Sequence, residues 1–373
     1  MHSNPSVWPH PPCIFVDYHH KSITVTAWRK GERVTKRDVL RAGVTGKLLR
    51  PKTSRHMIPD RPINIKISLT LLLKENTMKS NTLLQLIGNT PVVELTRYQP
   101  TKGVRIIAKL EGNNPGGSVK DRIALAMILD AEKKGRIKAG VTIIEATSGN
   151  TGIGLAMIAA IRGYRFTAVM PESVSIERRK LLEAYGAEIF LTDGAKGTNY
   201  AIEITNGMVK NNPEKYLMLD QFNNVANVLA HYQTTGKEII QQIPDVTHFV
   251  AGMGTGGTLM GVGKRLKEYN KAIQVIGVEP IAGSTIQGLR NMKAYKPSIY
   301  DESKLDQKLM IDADGIAFDL ARDLFKKEGI SVGISSGAAL WGAMEIAKTI
   351  KHGTVVTIFP DRGDRYASTK LFR

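Results

Sequence analysis

The chain has 373 residues, a formal net charge of +18, 42% hydrophobic residues and one cysteine, Cys13. This length suffices for a two-domain enzyme, the lone cysteine excludes an intramolecular disulfide and fits a reducing cytoplasm, and no apolar run reaches the roughly 18 residues of a membrane span. The charge does not indicate a nucleic-acid binder. Residues 1–77 carry 14 Lys and Arg against 5 Asp and Glu, so the much longer remainder of the chain is only mildly basic. It has no basic run interleaved with aromatic residues. The eight histidines show no metal-ligand spacing, so we expect no metal.

Residues 1–77 differ from the rest of the chain. They are basic and punctuated by proline, with a few short β-like runs such as Ser22 to Trp28 and no visible core. Regular patterning begins at Met78. We favour Met78 as the start of translation and interpret residues 1–77 as an extension outside the fold; the competing hypothesis is a regulatory or targeting segment.

From Met78 onward, short β-branched runs alternate with helical stretches, which is typical of parallel α/β units. The predicted strands are 104–110, 141–146, 165–170, 188–192, 247–251, 273–279 and 354–359.

Helices are predicted between these strands. One covers residues 119–134, with Ile123, Met127 and Ala131 on one face. Another begins at Thr151, and a third lies between Ser175 as N-cap and Gly186 as C-cap.

A turn-forming segment, Asn113–Ser118, leads to Lys120 at the start of an apolar helix. The positive N–H groups of a helix start disfavour protonation of a lysine, and a neutral amine is what Schiff-base chemistry needs. Alone, this pattern favours a capped helix start with a solvated lysine that points outward.

The next loop, Thr147–Gly152, follows a predicted strand and precedes a helix. Its hydroxyl, amide and backbone N–H groups suit a carboxylate, although a capped β–α loop would look the same.

A glycine-rich loop, Gly252–Thr258, follows the strand at 247–251 and suits a phosphate. It also satisfies the dinucleotide pattern through Gly252, Gly254 and Gly257, with Glu279 placed 22 residues after Gly257. A nicotinamide-dependent dehydrogenase is therefore one hypothesis, but it gives no role to Lys120.

Two further segments lie where α/β enzymes gather their active-site loops. Ser335, in Gly333–Ala339, stands at a helix start and suits a ring nitrogen or a helix cap. The charged segment 360–366 follows the last predicted strand, where a surface turn with paired charges is the alternative.

In this order, these segments closely resemble the cysteine synthase branch of the fold-type II pyridoxal phosphate (PLP) enzymes. The resemblance covers about residues 83–372 and adds the motifs Ile87–Val93, Met170–Glu172 and Gln221–Asn224. It implies an α/β fold of two domains, each a mostly parallel twisted sheet flanked by helices, as in the tryptophan synthase β-like fold. The smaller domain would cover residues 113–224, and the larger would combine 78–112 with 225–373.

The resemblance implies a role for each matched residue. Lys120 would carry PLP and act as the general base, Asn150 would contact the 3′ oxygen of PLP, and Ser335 would face its ring nitrogen. The phosphate would be held by Gly254, Thr255, Gly256, Gly257 and Thr258. The substrate carboxylate would be held by Thr147, Ser148, Gly149, Thr151 and Gln221.

Within this family the chain looks most like the B-type isozyme, through residues 111–115, 220–224 and 361–366. Arg290 matches an arginine that such members place near the sulfur donor. The B type can use thiosulfate as well as sulfide, but it often has a cysteine where this chain has Pro360. The resemblance therefore leaves both sulfide and thiosulfate open as sulfur donors.

The implied reaction forms L-cysteine from O-acetylserine and a sulfur donor by β-replacement through an α-aminoacrylate, or S-sulfocysteine where thiosulfate is the donor. The main alternative is a cystathionine β-synthase-like replacement on serine. The resemblance also suggests a homodimer and leaves a complex with serine acetyltransferase open; we expect neither a nucleic-acid partner nor a membrane.

Overall fold

The computed structural model describes residues 13–19, 22–29, 32–33, 82–147 and 149–373. The chain separates into two compact units, Met1–Thr77 and Met78–Arg373. In the first unit, strands β1 (Cys13–His19), β2 (Ser22–Arg29) and β3 (Glu32–Arg33) form an antiparallel sheet in the order β1-β2-β3. The prediction that residues 1–77 stand outside the enzyme fold stays a prediction.

The second unit contains a six-stranded sheet in the order β12-β11-β10-β13-β5-β4. All neighbouring strands in it are parallel except β4, which runs antiparallel to β5. The strands are β4 (Val92–Glu94), β5 (Val104–Leu110), β10 (Val246–Gly252), β11 (Gln274–Pro280), β12 (Gln307–Ile311) and β13 (Gly353–Phe359).

A second sheet of four parallel strands has the order β8-β7-β6-β9. Its strands are β6 (Thr142–Ala146), β7 (Arg165–Pro171), β8 (Glu188–Thr192) and β9 (Tyr216–Met218). Two mostly parallel sheets flanked by helices confirm the predicted α/β fold, whereas the domain boundaries at residues 113 and 224 stay a prediction.

Nine α-helices flank the sheets within the described residues. They are α1 (Lys120–Lys133), α2 (Asn150–Arg162), α3 (Ile176–Ala184), α4 (Gly197–Asn211), α5 (Val225–Ala230), α6 (Gly236–Gln242), α7 (Gly257–Tyr269), α8 (Asp314–Asp323) and α9 (Ile334–Thr349). Short 3-10 turns cover Leu83–Leu86, Thr96–Tyr98, Glu111–Asn113, Gly194–Lys196, Glu302–Lys304 and Gly363–Tyr366, and π-type turns cover His231–Thr235 and Leu324–Glu328. None of the described helices is long and apolar enough to cross a membrane.

Helix α1 shows why the sequence pattern predicted its packing. Ile123, Met127 and Ala131 recur every four residues, and each is fully buried in the core that α1 shares with α2 and the four-stranded sheet. The face they form fixes the helix, and with it the position of Lys120 at its first turn.

Helix α3 departs from its predicted caps in one respect. Ser175 occupies the N-cap position, but its hydroxyl donates to the backbone oxygen of Arg365 (3.1 Å) rather than capping the helix. At the other end Gly186 has φ +79°, and the N–H of Ala187 reaches back to the oxygen of Leu182, as in a Schellman cap. The expected glycine C-cap and the expected N-cap position of Ser175 are both confirmed, but the Ser175 hydroxyl binds the C-terminal segment instead of the first turn of the helix.

Candidate active site

A cleft forms where the carboxyl ends of strands from both sheets meet the helix starts that follow them. It brings together residues predicted from six separate segments of the chain. Those that line it are Lys120, Thr147, Gly149, Asn150, Thr151, Gln221, Gly254, Thr255, Gly256, Thr258, Arg290 and Ser335. Of the remaining predicted residues, Gly257 begins α7 and is not among the residues that line the cleft, and Ser148 lies outside the described residues.

Lys120 is the first residue of α1, and its side chain enters the cleft. Burial lowers the pKa of its amine, while the carboxylates of Asp361 and Glu111 oppose that shift. The direction is the one predicted from the sequence, but the largest cause is loss of water rather than the helix start. The Lys120 amine forms no hydrogen bond or ion pair with any other described residue, so it is available for chemistry in the cleft.

The segment that leads to Lys120 is anchored by a buried ion network. Arg122, 3% exposed, donates to Glu111 (2.7 and 2.8 Å) and to Glu238 (2.7 and 2.8 Å). Lys109 also pairs with Glu238 at 2.8 Å. Because Arg122 follows Lys120 by two residues on α1, the network fixes the helix start from the side opposite the cleft.

Asn150, at the first position of α2, is held by the C-terminal segment. Its amide donates to Asp361 (Nδ2 to Oδ2, 2.6 Å), and its oxygen accepts from Arg365 (Nη1 to Oδ1, 2.6 Å). Asp361 also accepts from the hydroxyl of Tyr366 at 2.8 Å. Asp361, Arg365 and Tyr366 are at most 3% exposed, so the alternative of a surface turn with paired charges is wrong for them.

The loop after β6 is closed by its own hydrogen bonds. The Thr147 hydroxyl accepts from the N–H groups of Gly149 and Gly152, both at 3.1 Å. The Thr151 hydroxyl donates to the side-chain oxygen of Gln221 at 2.7 Å. Gln221 in turn donates to the backbone oxygen of Ala146 at 2.9 Å, so the two segments predicted to hold a carboxylate are joined.

The buried side chain of Glu145 binds the backbone of the segment that carries Gln221. Glu145, on β6 and 1% exposed, accepts from the backbone N–H groups of Asp220 and Gln221, both at 2.9 Å. Asp220 has φ +59°, a conformation that few residues other than glycine adopt. Burial raises the pKa of Glu145 to about 8, against the effect of these N–H donors.

The glycine loop has no space for side chains where it turns into α7. A Cβ on Gly254 would lie 2.7 Å from the backbone oxygen of Gly288, and Gly256 has φ +87°. The backbone is thereby exposed to the cleft at the start of a 13-residue helix, which favours an anion.

The dehydrogenase hypothesis fails at Glu279. Its carboxylate is 2% exposed, accepts from the N–H of Met292 at 2.6 Å and pairs with Lys308 at 3.1 Å. Because these partners occupy the Glu279 carboxylate, it does not bind the ribose of a dinucleotide. The glycine loop therefore suits a phosphate group but not a nicotinamide dinucleotide.

Ser335 faces the same cleft from the start of α9. It is 3% exposed, and its hydroxyl makes no hydrogen bond with another residue of the described chain. A hydroxyl that faces the cleft without such a partner is free to bind a ligand or a water there.

Arg290 lies in the segment after β11, with its guanidinium stacked on Phe222 and Tyr295, 4.7 and 4.8 Å from the ring centroids. It donates to the side-chain oxygen of Asn199 at 2.9 Å. Burial lowers its pKa, with the Tyr295 hydroxyl acting in the opposite direction. The stack presents a positively charged fork at the edge of the cleft.

Arg178 was missed by the sequence analysis. This residue of α3 is 3% exposed, lines the cleft, stacks on Tyr366 with 4.7 Å to the ring centroid and donates to Gln287. A Cβ on Gly149 would lie 2.4 Å from its Cδ, which explains the glycine there. As one of two adjacent arginines in a short helix, it carried no signal that could distinguish it.

The three features that PLP requires are present in this cleft: an amine of lowered pKa at Lys120, an anion-binding glycine loop and a free hydroxyl at Ser335. The residues therefore fit this cofactor.

Comparisons with known proteins agree with this fit. A family model described as "Pyridoxal-phosphate dependent enzyme" matches residues 83–361. A cysteine synthase of Aquifex aeolicus is 50% identical over 78% of this chain and 92% of its own length. A cysteine synthase B of Salmonella typhimurium is 49% identical over 78% of this chain and 96% of its own length. The solved cysteine synthase of Entamoeba histolytica has a TM-score of 0.74 and 40% identity, covering 80% of this chain and 92% of that one.

Proposed function

Since the chain belongs to the family of pyridoxal-phosphate-dependent enzymes, we propose that its cleft forms L-cysteine from O-acetyl-L-serine and sulfide with PLP as cofactor. The observation that carries the proposal is the meeting of Lys120, the glycine loop and Ser335 in one cleft. The relatives that share this sequence are cysteine synthases, among them a B type, and a cystathionine β-synthase-like replacement on serine is not favoured by them.

Each part of the cofactor has a group suited to it. Lys120 would bind its aldehyde carbon, the N–H groups and hydroxyls of residues 254–258 its phosphate, and Ser335 its ring nitrogen. Asn150, oriented by Asp361 and Arg365, would contact its 3′ oxygen. When bound, PLP supplies an electron sink for the carbon that loses a proton.

The residues of the chain do the remaining work. Lys120 acts as the general base at its Nζ, because burial lowers its pKa and keeps a neutral amine accessible. Thr151, Gln221 and the N–H groups near Gly149 bind the substrate carboxylate, in two segments that hydrogen bonds already join to each other. Closure of these carboxylate-binding segments over the substrate keeps water from the reacting carbon.

A neutral serine at residue 335 matches this reaction better than a carboxylate would. A hydroxyl stabilises a ring nitrogen without a proton, which limits the build-up of negative charge on the ring and favours loss of acetate from the β-carbon.

The sulfur donor is assigned to the region of Arg290. A cationic fork stacked on two aromatic rings suits an anionic donor, so sulfide is proposed as the first donor and thiosulfate as the second.

A homodimer and a cytoplasmic location are further proposals. The family resemblance supports the homodimer, and the single cysteine supports the location. Light scattering of the purified protein tests the oligomeric state.

The deciding experiment mixes purified protein with O-acetylserine and sulfide and measures cysteine. We expect turnover and a visible absorption band, and we expect borohydride followed by peptide mapping to place the cofactor on Lys120. In Lys120→Ala we expect the rate to fall by about a thousand-fold, since a general base contributes roughly 10² to 10⁴. Lys133→Ala, at the exposed far end of the same helix, is the control. A colourless protein, or full turnover by Lys120→Ala, would refute the proposal.

A further inference from the structure

Asn227 is a fully buried amide between two loops of the cleft. It lies in the first turn of α5 and is 0% exposed. Its Nδ2 donates to the backbone oxygen of Gln221 (2.8 Å) and to the hydroxyl oxygen of Thr255 (3.1 Å). One side-chain nitrogen therefore joins the segment that carries Gln221 to the glycine loop that carries Thr255.

The orientation of this amide is fixed by its surroundings. The backbone oxygen of Gln221 can only accept, so a rotated amide would set its own oxygen against that carbonyl. A Cβ on Gly257 would lie 1.9 Å from the Asn227 oxygen, which shows that the amide packs directly on the backbone of the glycine loop. That oxygen has no hydrogen-bond partner in the described chain.

On the substrate side, Asn227 completes the support of Gln221. The N–H of Gln221 is bound by Glu145, and its side chain is bound by Thr151 and Ala146. Its backbone oxygen is the group that Asn227 holds. Loss of that bond would leave a buried carbonyl unsatisfied and free the loop to shift.

On the cofactor side, Asn227 sets the direction of a hydroxyl hydrogen. The Thr255 oxygen accepts from Asn227 and, at 3.4 Å, from the N–H of Gly257. With both acceptor positions facing the protein, its own hydrogen is left to point into the cleft that Thr255 lines. Asn227 thus prepares Thr255 to donate to an anion.

We infer that Asn227 is a positioning residue that couples the phosphate-binding loop to the substrate-carboxylate loop. The inference rests on the proposed function, since it takes residues 254–258 as the phosphate site and Gln221 as a substrate contact. Its consequence is that cofactor affinity and substrate affinity depend on one side chain that touches neither ligand.

The test measures two quantities in Asn227→Ala. The Kd for PLP is obtained by titrating apoenzyme and following the visible band, and the KM for O-acetylserine is obtained with the reconstituted enzyme. We expect each to rise by roughly ten-fold, as for the loss of a donor to buried acceptors. Asn227→Asp keeps the shape and removes the donors, so it should raise both quantities as well, and the Kd more, because it sets a negative charge behind the phosphate site.

Asn224→Ala is the matched control. Asn224 lies three residues earlier, caps α5 and donates to the backbone oxygen of Leu219, but it does not contact the glycine loop. We expect it to lower the melting temperature and leave the Kd for PLP within two-fold of wild type.

The outcomes separate the two proposals. If wild-type protein fails to bind PLP, the proposed function falls. If wild type binds PLP but the Asn227 variants alter only melting temperature, or change one of the two constants alone, the coupling role is overturned while the function stands.

Discussion

The side-chain amide of Asn150 donates a hydrogen bond of 2.6 Å to the carboxylate of Asp361, across 211 residues of sequence. Asn150 begins α2 on the four-stranded sheet, and Asp361 follows β13 of the six-stranded sheet. Both sides of the cleft are therefore tied together beside Lys120. The carboxylate that orients Asn150 also acts on the charge state of the lysine.

Asp361→Asn tests this double role. The Asp361 charge raises the pKa of the Lys120 amine, so its removal should lower that pKa further. Because the neutral amine binds PLP, the pH dependence of PLP association with apoenzyme should shift to lower pH. Asp364→Asn, on an exposed residue of the same segment, is the control. An unchanged pH profile in Asp361→Asn would contradict the assignment.

Most of the fold could be predicted because buried parallel strands give continuous apolar runs. All seven predicted strands were found, each within a residue of its predicted ends; β5 and β8 match at both ends. Strands β4, β9 and β12 were missed. The first two have three residues each, and the edge strand β12 is mostly exposed, so none shows a clear period.

The site was predictable only where its chemistry is local. The loops near Lys120, Thr147 and Gly254 could be recognised because a strand precedes, or glycines punctuate, each of them. The contacts of Arg178 with Gln287, of Asn227 with Thr255 and of Asp361 with Asn150 join residues 109, 28 and 211 positions apart. No local pattern encodes such pairs, so their roles became visible only in the folded chain.

Replacing Arg122 should destabilise the protein strongly. Arg122→Met leaves the buried carboxylates of Glu111 and Glu238 without their main partner, which costs about 3–5 kcal/mol of unfolding free energy. Arg105→Met removes the exposed pairs with Glu94 and Asp245 and should cost at most about 1 kcal/mol. Denaturant unfolding measures both, and equal losses would contradict the importance of burial.

The same network predicts sensitivity to acid. Hydrogen bonds and charge from Arg122 and Lys109, acting against burial, lower the pKa of Glu238 to about 2 from an ordinary value near 4.5. A lowered folded pKa gives stability that is present above pH 4.5 and lost as pH falls toward 2. This loss should be smaller in Glu238→Gln, as measured by unfolding at pH 5 and pH 3.

Glu145 predicts the opposite dependence near neutral pH. Its folded pKa of about 8 lies above its ordinary value near 4.5, so the folded state binds the proton more tightly. Stability should therefore fall as pH rises from about 4.5 to about 8. Glu145→Gln cannot titrate and should flatten this part of the profile. The free energy of unfolding of wild type and Glu145→Gln is measured at pH 6 and pH 8.5. An unchanged pH dependence in Glu145→Gln would assign that dependence to another group.

Arg290 should decide how well anionic sulfur donors are used. Its guanidinium, stacked on Phe222 and Tyr295, offers charged hydrogen bonds to a donor oxygen, and Arg290→Gln removes the charge while keeping a polar side chain. We expect the KM for thiosulfate to rise roughly ten-fold, since hydrogen bonds to charged groups contribute about 1.5–3 kcal/mol, and the KM for sulfide to rise less.

Arg290→Lys separates charge from geometry in the same assay. The lysine keeps the charge but loses the planar fork and the stack on two rings, so its KM for thiosulfate should lie between those of wild type and Arg290→Gln. An equal loss with both donors in Arg290→Gln would contradict a role in donor choice, because a residue that only supports the fold would not distinguish an oxyanion from a small thiolate.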